Sequence, residues 1–182
     1  QSRLINDFRT VLLVHDKRFF AAMQDAGLQA ACLTEEERAF FNRFVIATHR
    51  FGQTPEAWSD ALERPERWFL KHRALGKSER VYSGLELGAE AWRKLMAEAD
   101  LSQFVLQEFV PQKRWKGQIH GEEIEEYVTG TLLYVNDHYF GQGPLRTSTS
   151  LTMKSDVKRN VGVLACAQPG ELPTEGLYAF FK

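Results

Sequence analysis

Lys71 closes the short apolar run Trp68-Phe69-Leu70, and Gln107-Glu108-Phe109-Val110 closes a second, Phe104-Val105-Leu106. A lysine at a strand end beside a glycine-bearing turn suits phosphate. Its ammonium supplies a point charge, and the turn amides supply further donors. A strand running out into a linker suits a heterocyclic base, with a carbonyl for an exocyclic amino group and an amide for a ring nitrogen. Phe109 and Val110 would sandwich such a base, and Glu108 would accept from a ribose hydroxyl or the amino group. The same residues also read as a solvated strand-end lysine and an ordinary exposed Gln-Glu pair, and Pro111 ends the strand under either reading.

The elements that must position these groups follow from periodicity and caps. Asp16 reads as an N-cap for a helix through Met23 to Asp25, with Gly27 as a left-handed C-cap. Thr34-Glu35-Glu36-Glu37 is a capping box opening a helix that turns Phe40, Phe41 and Phe44 inward. Val45-Ile46-Ala47 reads as a strand, and Pro55 to Glu63 as a helix with proline at its start. Arg67 to Lys71 is a strand, Leu75 to Ser78 a turn, and Arg80 to Gly84 a short return. Ala89 to Glu98 places Trp92, Leu95 and Met96 on one helical face, and Gln103 to Val110 is a strand. Residues 112–120 read as a polar, basic loop, and Ile124 to Val135 as one long strand. Asn136-Asp137 reads as a two-residue turn into a strand starting at His138. Residues 146–160, rich in Ser, Thr, Lys and Arg, read as a loop that orders on binding. Hairpins among helices favour an α+β fold over a doubly wound sheet.

Bulk properties narrow the partners. The chain has 182 residues, 43% of them apolar, with 13 Phe and 4 Trp, enough for a core in one domain or two small lobes. A net charge of −1 gives no electrostatic reason to expect nucleic acid or an anionic membrane. No apolar run approaches the roughly 20 residues of a membrane span. Cys32 and Cys166 form no CxxC or metal spacing and read as two buried free thiols of a cytoplasmic protein, with a disulfide between them as the alternative.

Gly76-Lys77-Ser78 looks like the end of a P-loop, but that motif needs glycine at position 71, where Lys71 stands, and a helix straight after Ser78. His49, His72, His120 and His138 share no metal-ligand spacing, whereas His15 adjoins Lys17 and reads either as an ordinary turn histidine or as a residue lining the site.

In order, Trp68-Phe69-Leu70-Lys71, the turn from Gly76 to Gly84, a helix, and Val105-Leu106-Gln107-Glu108-Phe109-Val110 resemble the nucleotide half of an ATP-grasp ligase. With Asn6-Asp7-Phe8-Arg9 through His15-Asp16-Lys17 ahead of a helix, residues 4 to 165 are similar to the circularly permuted group that includes glutathionylspermidine synthase. The resemblance implies an ATP-grasp-like fold, with mixed or antiparallel sheets and flanking helices forming a nucleotide cleft. It implies ATP as the bound nucleotide, held by Lys17 and Lys71, with Gly76 and Ser78 at the turn and Gln107, Glu108, Phe109 and Val110 at the base. Arg146 would face the transferred phosphate or the acceptor carboxylate. The implied activity is a carboxylate–amine ligase acting through an acylphosphate, with a small carboxylate and an amine as substrates.

The chain departs from the group in one respect. Its magnesium site needs an acidic residue and a Glu-x-Asn pair, and no Glu-x-Asn follows Val110. Glu122, Glu123, Glu125 and Glu126 read as a solvated acidic turn and strand edge. The Mg2+ ligands are therefore expected outside this chain, which begins at Gln1 and reads as the C-terminal portion of a longer ligase. The expected division is a lobe of residues 1–66 carrying the first lysine and a nucleotide-binding lobe of residues 67–182. A non-catalytic binding module that keeps the fold is the alternative, and a kinase-like phosphotransferase a third.

Overall fold

The computed structural model describes residues 8–119, 121–135, 138–143, 145–153 and 158–161. They form a mixed α+β structure whose strands all pair antiparallel. The chain divides into two compact units at Val110/Pro111. The expected boundary at 66/67 therefore falls inside the first unit, because residues 48–50 and 68–72 pair with the same strand.

The first unit opens with α1 (Phe8–His15), α2 (Arg18–Met23), α3 (Ala26–Cys32) and α4 (Glu35–Phe44). Gly27 lies inside α3 rather than ending a helix, since Asp25 caps α3 by accepting from the Leu28 amide. Asp16 accepts from the Arg18 amide, while the N-cap position of α2 is Lys17. The Thr34 capping box forms as expected, with Glu37 reaching back to the Thr34 amide at 2.8 Å. The helix it opens leaves Phe41 half-buried but exposes its other two aromatic residues. Phe40 and Phe44 are 65% and 58% exposed and pack on each other at 4.6 Å. Residues 45–47 are not a strand, for the pairing begins at Thr48.

The sheet consists of β1 (Thr48–Arg50), β2 (Trp68–His72), β3 (Val81–Ser83) and β4 (Phe104–Glu108), in the order β1-β4-β2-β3. Helices α5 (Pro55–Glu63), α6 (Gly84–Leu87) and α7 (Ala89–Glu98) connect the strands. The period of two sends Trp68 and Leu70 of β2, with Phe104 and Leu106 of β4, to one face. There they pack with Ala57, Trp58 and Ala61 of α5 and Trp92 and Met96 of α7. A buried indole needs an acceptor, and each of the three has one. Trp92 donates to the Ala61 carbonyl at 2.8 Å, Trp58 to the Arg50 carbonyl at 3.1 Å, and Trp68 to the Asp60 carboxylate at 2.8 Å. The opposite face carries Thr48, Phe69, Lys71, Val105 and Gln107, and Thr48, Val105 and Gln107 are buried. Helix α2 packs on β1 and is tied at both ends. The Lys17 amide donates to Arg73 O at 2.8 Å, and Gln24 bonds Ile46 O and the Thr48 amide.

The second unit holds β5 (Trp115–Ile119), β6 (Glu122–Thr129), β7 (Leu132–Val135), β8 (His138–Gln142), β9 (Leu145–Ser148) and β10 (Lys158–Val161). The expected basic loop is one half of a hairpin. β5 pairs with the acidic β6, and Lys116 faces Glu125 with its Nζ 3.6 Å from the carboxylate. The expected single strand through Val135 is broken at Gly130-Thr131 into β6 and β7. Val135 pairs with His138, which agrees with a two-residue connection, although Asn136 and Asp137 themselves lie outside the described residues. The segment 146–160 is not one loop. β9 and β10 pair with each other and β9 also with β6, so backbone pairing overrides the polar composition there. Glu126 is buried, unlike its exposed neighbours Glu122, Glu123 and Glu125. Among the described residues no helix is long and apolar enough to cross a membrane.

The tightest approach lies where α6 meets the 3-10 turn Pro65–Arg67. A Cβ on Gly84 would overlap the Pro65 carbonyl. Gly84→Ala should therefore cost about 2–3 kcal/mol of unfolding free energy. A denaturant midpoint matching the parent protein's would show that the contact is not needed.

Candidate functional site

Lys71 lies on β2 opposite Val105 of β4 and turns away from the tryptophan core. It is half-buried, and its Nζ stands 5.3 Å from the centroid of the Phe69 ring. That ring in turn packs on Phe109 at 5.6 Å. One strip thus runs from the lysine to the end of β4: Lys71, Phe69, Phe109. The register separates the Lys71–Val105 rung from the Trp68–Glu108 rung by three residues, or about 10 Å along the ladder.

Lys17 reaches the same region from the junction of α1 and α2. Its Nζ donates to His72 O at 3.0 Å and Leu75 O at 2.7 Å. Burial pushes both ammonium groups below the usual lysine range. The charge of Lys17 lowers Lys71 further, while Asp16 partly restores Lys17. Among the described residues neither lysine forms an ion pair. Two nearby guanidinium groups share one carboxylate, Asp16 meeting Arg18 at 2.6 Å and Arg73 at 3.1 Å. Asp16 is partly buried, which alone would raise its pKa. The hydrogen bonds and charge of Arg18, with Arg73, outweigh that and hold it at about 2.

The turn that follows is backbone-strained. Glu79 donates to Gly76 O at 3.0 Å, and the two residues between, Lys77 and Ser78, have φ of 53° and 61°. Such a turn favours Asn-Gly, and left-handed conformations cost a non-glycine residue about 1–2 kcal/mol each. Gly76, by contrast, is exposed, is absent from the positive-φ glycines, and has open space where a Cβ would stand.

The hinge residues divide by what they already contact. The Gln107 amide donates to Thr48 Oγ1 at 2.8 Å and is buried, so its side chain ties β4 to β1. Glu108 is half-exposed and 3.8 Å from Arg67. The Phe109 amide donates to Arg67 O at 2.7 Å, whereas the Val110 amide makes no hydrogen bond among the described residues. Val110 is therefore the residue with a free backbone edge. Glu108 and Val110 also line a cavity of about 520 Å³, with Phe41, Phe44, Val45 and Ile46 on its other side. That volume suits a small organic ligand. Arg146 belongs to the second unit, where it is exposed on β9 between Thr129 of β6 and Asn160 of β10.

Sequence reasoning took Asp16 for a cap rather than an ion-pair centre, and missed Arg67, Arg73 and the 41–46 lining of the cavity. The Asp16–Arg73 pair spans 57 positions and leaves no local signal. Phe69 was legible in principle, since it lies two residues from Lys71 and shares its face. Among the described residues no group of three or more His, Cys, Asp or Glu could hold a metal ion. No protein-family model matches the chain, and no curated protein is significantly similar to it.

Two outcomes follow from this geometry. Asp16 has a folded pKa below its unfolded value. Its contribution is therefore present above about pH 4 and is lost as pH falls through about 2. Asp16→Asn should lower stability at pH 7 by about 1–2 kcal/mol and flatten the acid limb of the stability profile. An unchanged limb would show that the Arg18 and Arg73 contacts contribute nothing. Gly76→Ala should leave stability within about 0.5 kcal/mol of the parent, as read by thermal unfolding, because the site has room and an ordinary φ.

Proposed function

We propose that the first unit binds the nucleotide of an ATP-dependent carboxylate–amine ligase with an ATP-grasp-like fold, acting through an acylphosphate. One observation carries the reading. Two half-buried lysines converge on one segment, Lys71 at the end of β2 and Lys17 with its Nζ on the His72 and Leu75 carbonyls just beyond it, and neither forms an ion pair among the described residues. Half-buried like charges disfavour each other, Asp16 offsets this only in part and only for Lys17, and a polyphosphate would relieve the remainder. The spacing supports the same ligand. About 10 Å separates the Lys71 rung from the hinge rung, a span comparable to that between the base and the outer phosphates of an extended nucleotide.

On this reading Lys71 meets the phosphates, with the turn through Gly76 and Ser78 beside it. Phe69 and Phe109 supply an aromatic surface, and the Val110 amide supplies the backbone edge for the base. The γ-phosphoryl group passes to a carboxylate oxygen as ADP leaves. The amine nitrogen then bonds to the acyl carbon, inorganic phosphate departs, and the amine releases a proton. Catalysis of such transfer rests on position and charge neutralisation. Arg146 would serve as an anion-binding group of the second unit, since a guanidinium binds phosphate or carboxylate in a bidentate manner. The described residues present no group of three or more His, Cys, Asp or Glu that could hold magnesium.

A second reading, a module that binds without catalysing, is favoured by the prior commitments of two expected contacts. Lys17 spends two donors on backbone carbonyls, and Gln107 spends its side chain on Thr48.

Titration calorimetry with ATP and magnesium separates these. Lys71→Met should weaken ATP binding about 10- to 100-fold, as expected for loss of a charge-assisted phosphate contact. Equal affinity of parent and variant would remove the nucleotide reading of β2. Binding with no ADP release in the presence of carboxylates and amines would favour the module.

A further inference from the structure

His15, Asp16 and Lys17 run alongside residues 72–75 and bond nearly every group within reach. The His15 ring bonds the Ala74 carbonyl, the Asp16 carboxylate accepts from the Arg73 guanidinium at 3.1 Å, and the Lys17 amide donates to Arg73 O at 2.8 Å. The Lys17 ammonium then takes His72 O and Leu75 O together. An ammonium has three donors, so two of them hold protein backbone and one remains. The segment so held joins Lys71 to the strained turn at Lys77-Ser78. Its other ties are few: His72 N to Arg80 O at 3.0 Å, Arg73 N to Gln103 O at 2.9 Å, Arg73 Nε to Gln103 Oε1 at 3.2 Å, and Ala74 N to the His72 ring at 3.2 Å.

We infer that Lys17 is a positioning residue, the centre of a clip that fixes the 72–75 backbone and so sets where the Lys71 ammonium and the following turn stand. The inference rests on the nucleotide reading only for its consequence in binding; the clip itself is a property of the free protein. It assigns the phosphate contact to Lys71 and makes the contribution of Lys17 indirect, through backbone position and through its charge beside Lys71. Groups facing this cluster are Asp16, Arg18, Arg73, His72, Glu79 and Arg80, and the two acids leave Lys71 itself without an ion pair.

Hydrogen exchange and lysine side-chain NMR on the full chain without nucleotide test this directly. Lys17→Met should raise exchange at the His72, Arg73 and Glu79 amides tenfold or more while the Leu106 amide of β4 keeps its protection. The Lys71 ammonium should titrate higher in Lys17→Met and stay near its parent value in Lys17→Arg, which retains the charge. Lys71→Met should leave the exchange pattern unchanged. Unaltered exchange at 72–79 in Lys17→Met, with ATP affinity nonetheless lost, would make Lys17 a direct phosphate ligand and overturn the inference. Exchange raised throughout the first unit, Leu106 included, would also overturn it, since the effect would then be global. If the parent protein fails to bind ATP, the nucleotide reading falls while the exchange and titration results still decide the clip.

Discussion

The first unit is built on the requirement that β4 be buried on both faces. Phe104 and Leu106 point into the tryptophan core, and Val105 and Gln107 are buried on the other side. A strand so placed must be covered twice, and it must be paired on both edges or leave backbone groups unsatisfied. β1 and β2 take the two edges. Helices α5 and α7 cover one face, while α2 packs on β1. The buried Gln107 is acceptable there only because Thr48, directly opposite in the register, takes its hydrogen bond.

The arrangement of the candidate site follows from that constraint. Because β2 pairs with β4 through Trp68↔Glu108 and His72↔Phe104, the residues of β2 alternate between core and opposite face. Trp68 and Leu70 supply the core, and Phe69 and Lys71 are left on the other side with Phe109. The Phe69 ring attracts the Lys71 ammonium, but burial and a second ammonium nearby both disfavour its charge. Positioning it accurately requires that the backbone after it be held, and the 15–17 segment supplies that hold from outside the sheet. The strained turn at Lys77-Ser78 fits the same pattern, in which local cost persists because surrounding bonds leave the chain no alternative.

Much of this was legible locally. The capping box at Thr34, the helix from Pro55 and the amphipathic helix Ala89–Glu98 were all readable, since caps and a 3.6-residue period are written in neighbouring positions. Strand β2 was placed to within one residue and β4 to within two. Failures occurred where pairing with another strand, rather than composition, decided the outcome. Residues 112–120 looked like a loop until Lys116 met Glu125, and residues 146–160 looked like a loop until Thr147 paired with Val128. Phe40 and Phe44 have helical spacing for burial, yet no element of the first unit covers them among the described residues.

The sequence alone determined which groups are available for chemistry: a lysine at a strand end, a second lysine ahead of a helix, and an aromatic hinge stopped by proline. Residue type and short-range periodicity are local properties, and they survive without a fold. Tertiary structure decided what those groups are free to do. It brought Lys17 to Lys71 across more than fifty positions, then committed two of the Lys17 donors to backbone carbonyls and the Gln107 amide to Thr48. It left the Lys71 ammonium and the Val110 amide without such partners among the described residues. Hydrogen-bonding capacity is finite, and only the folded chain shows where it has already been used.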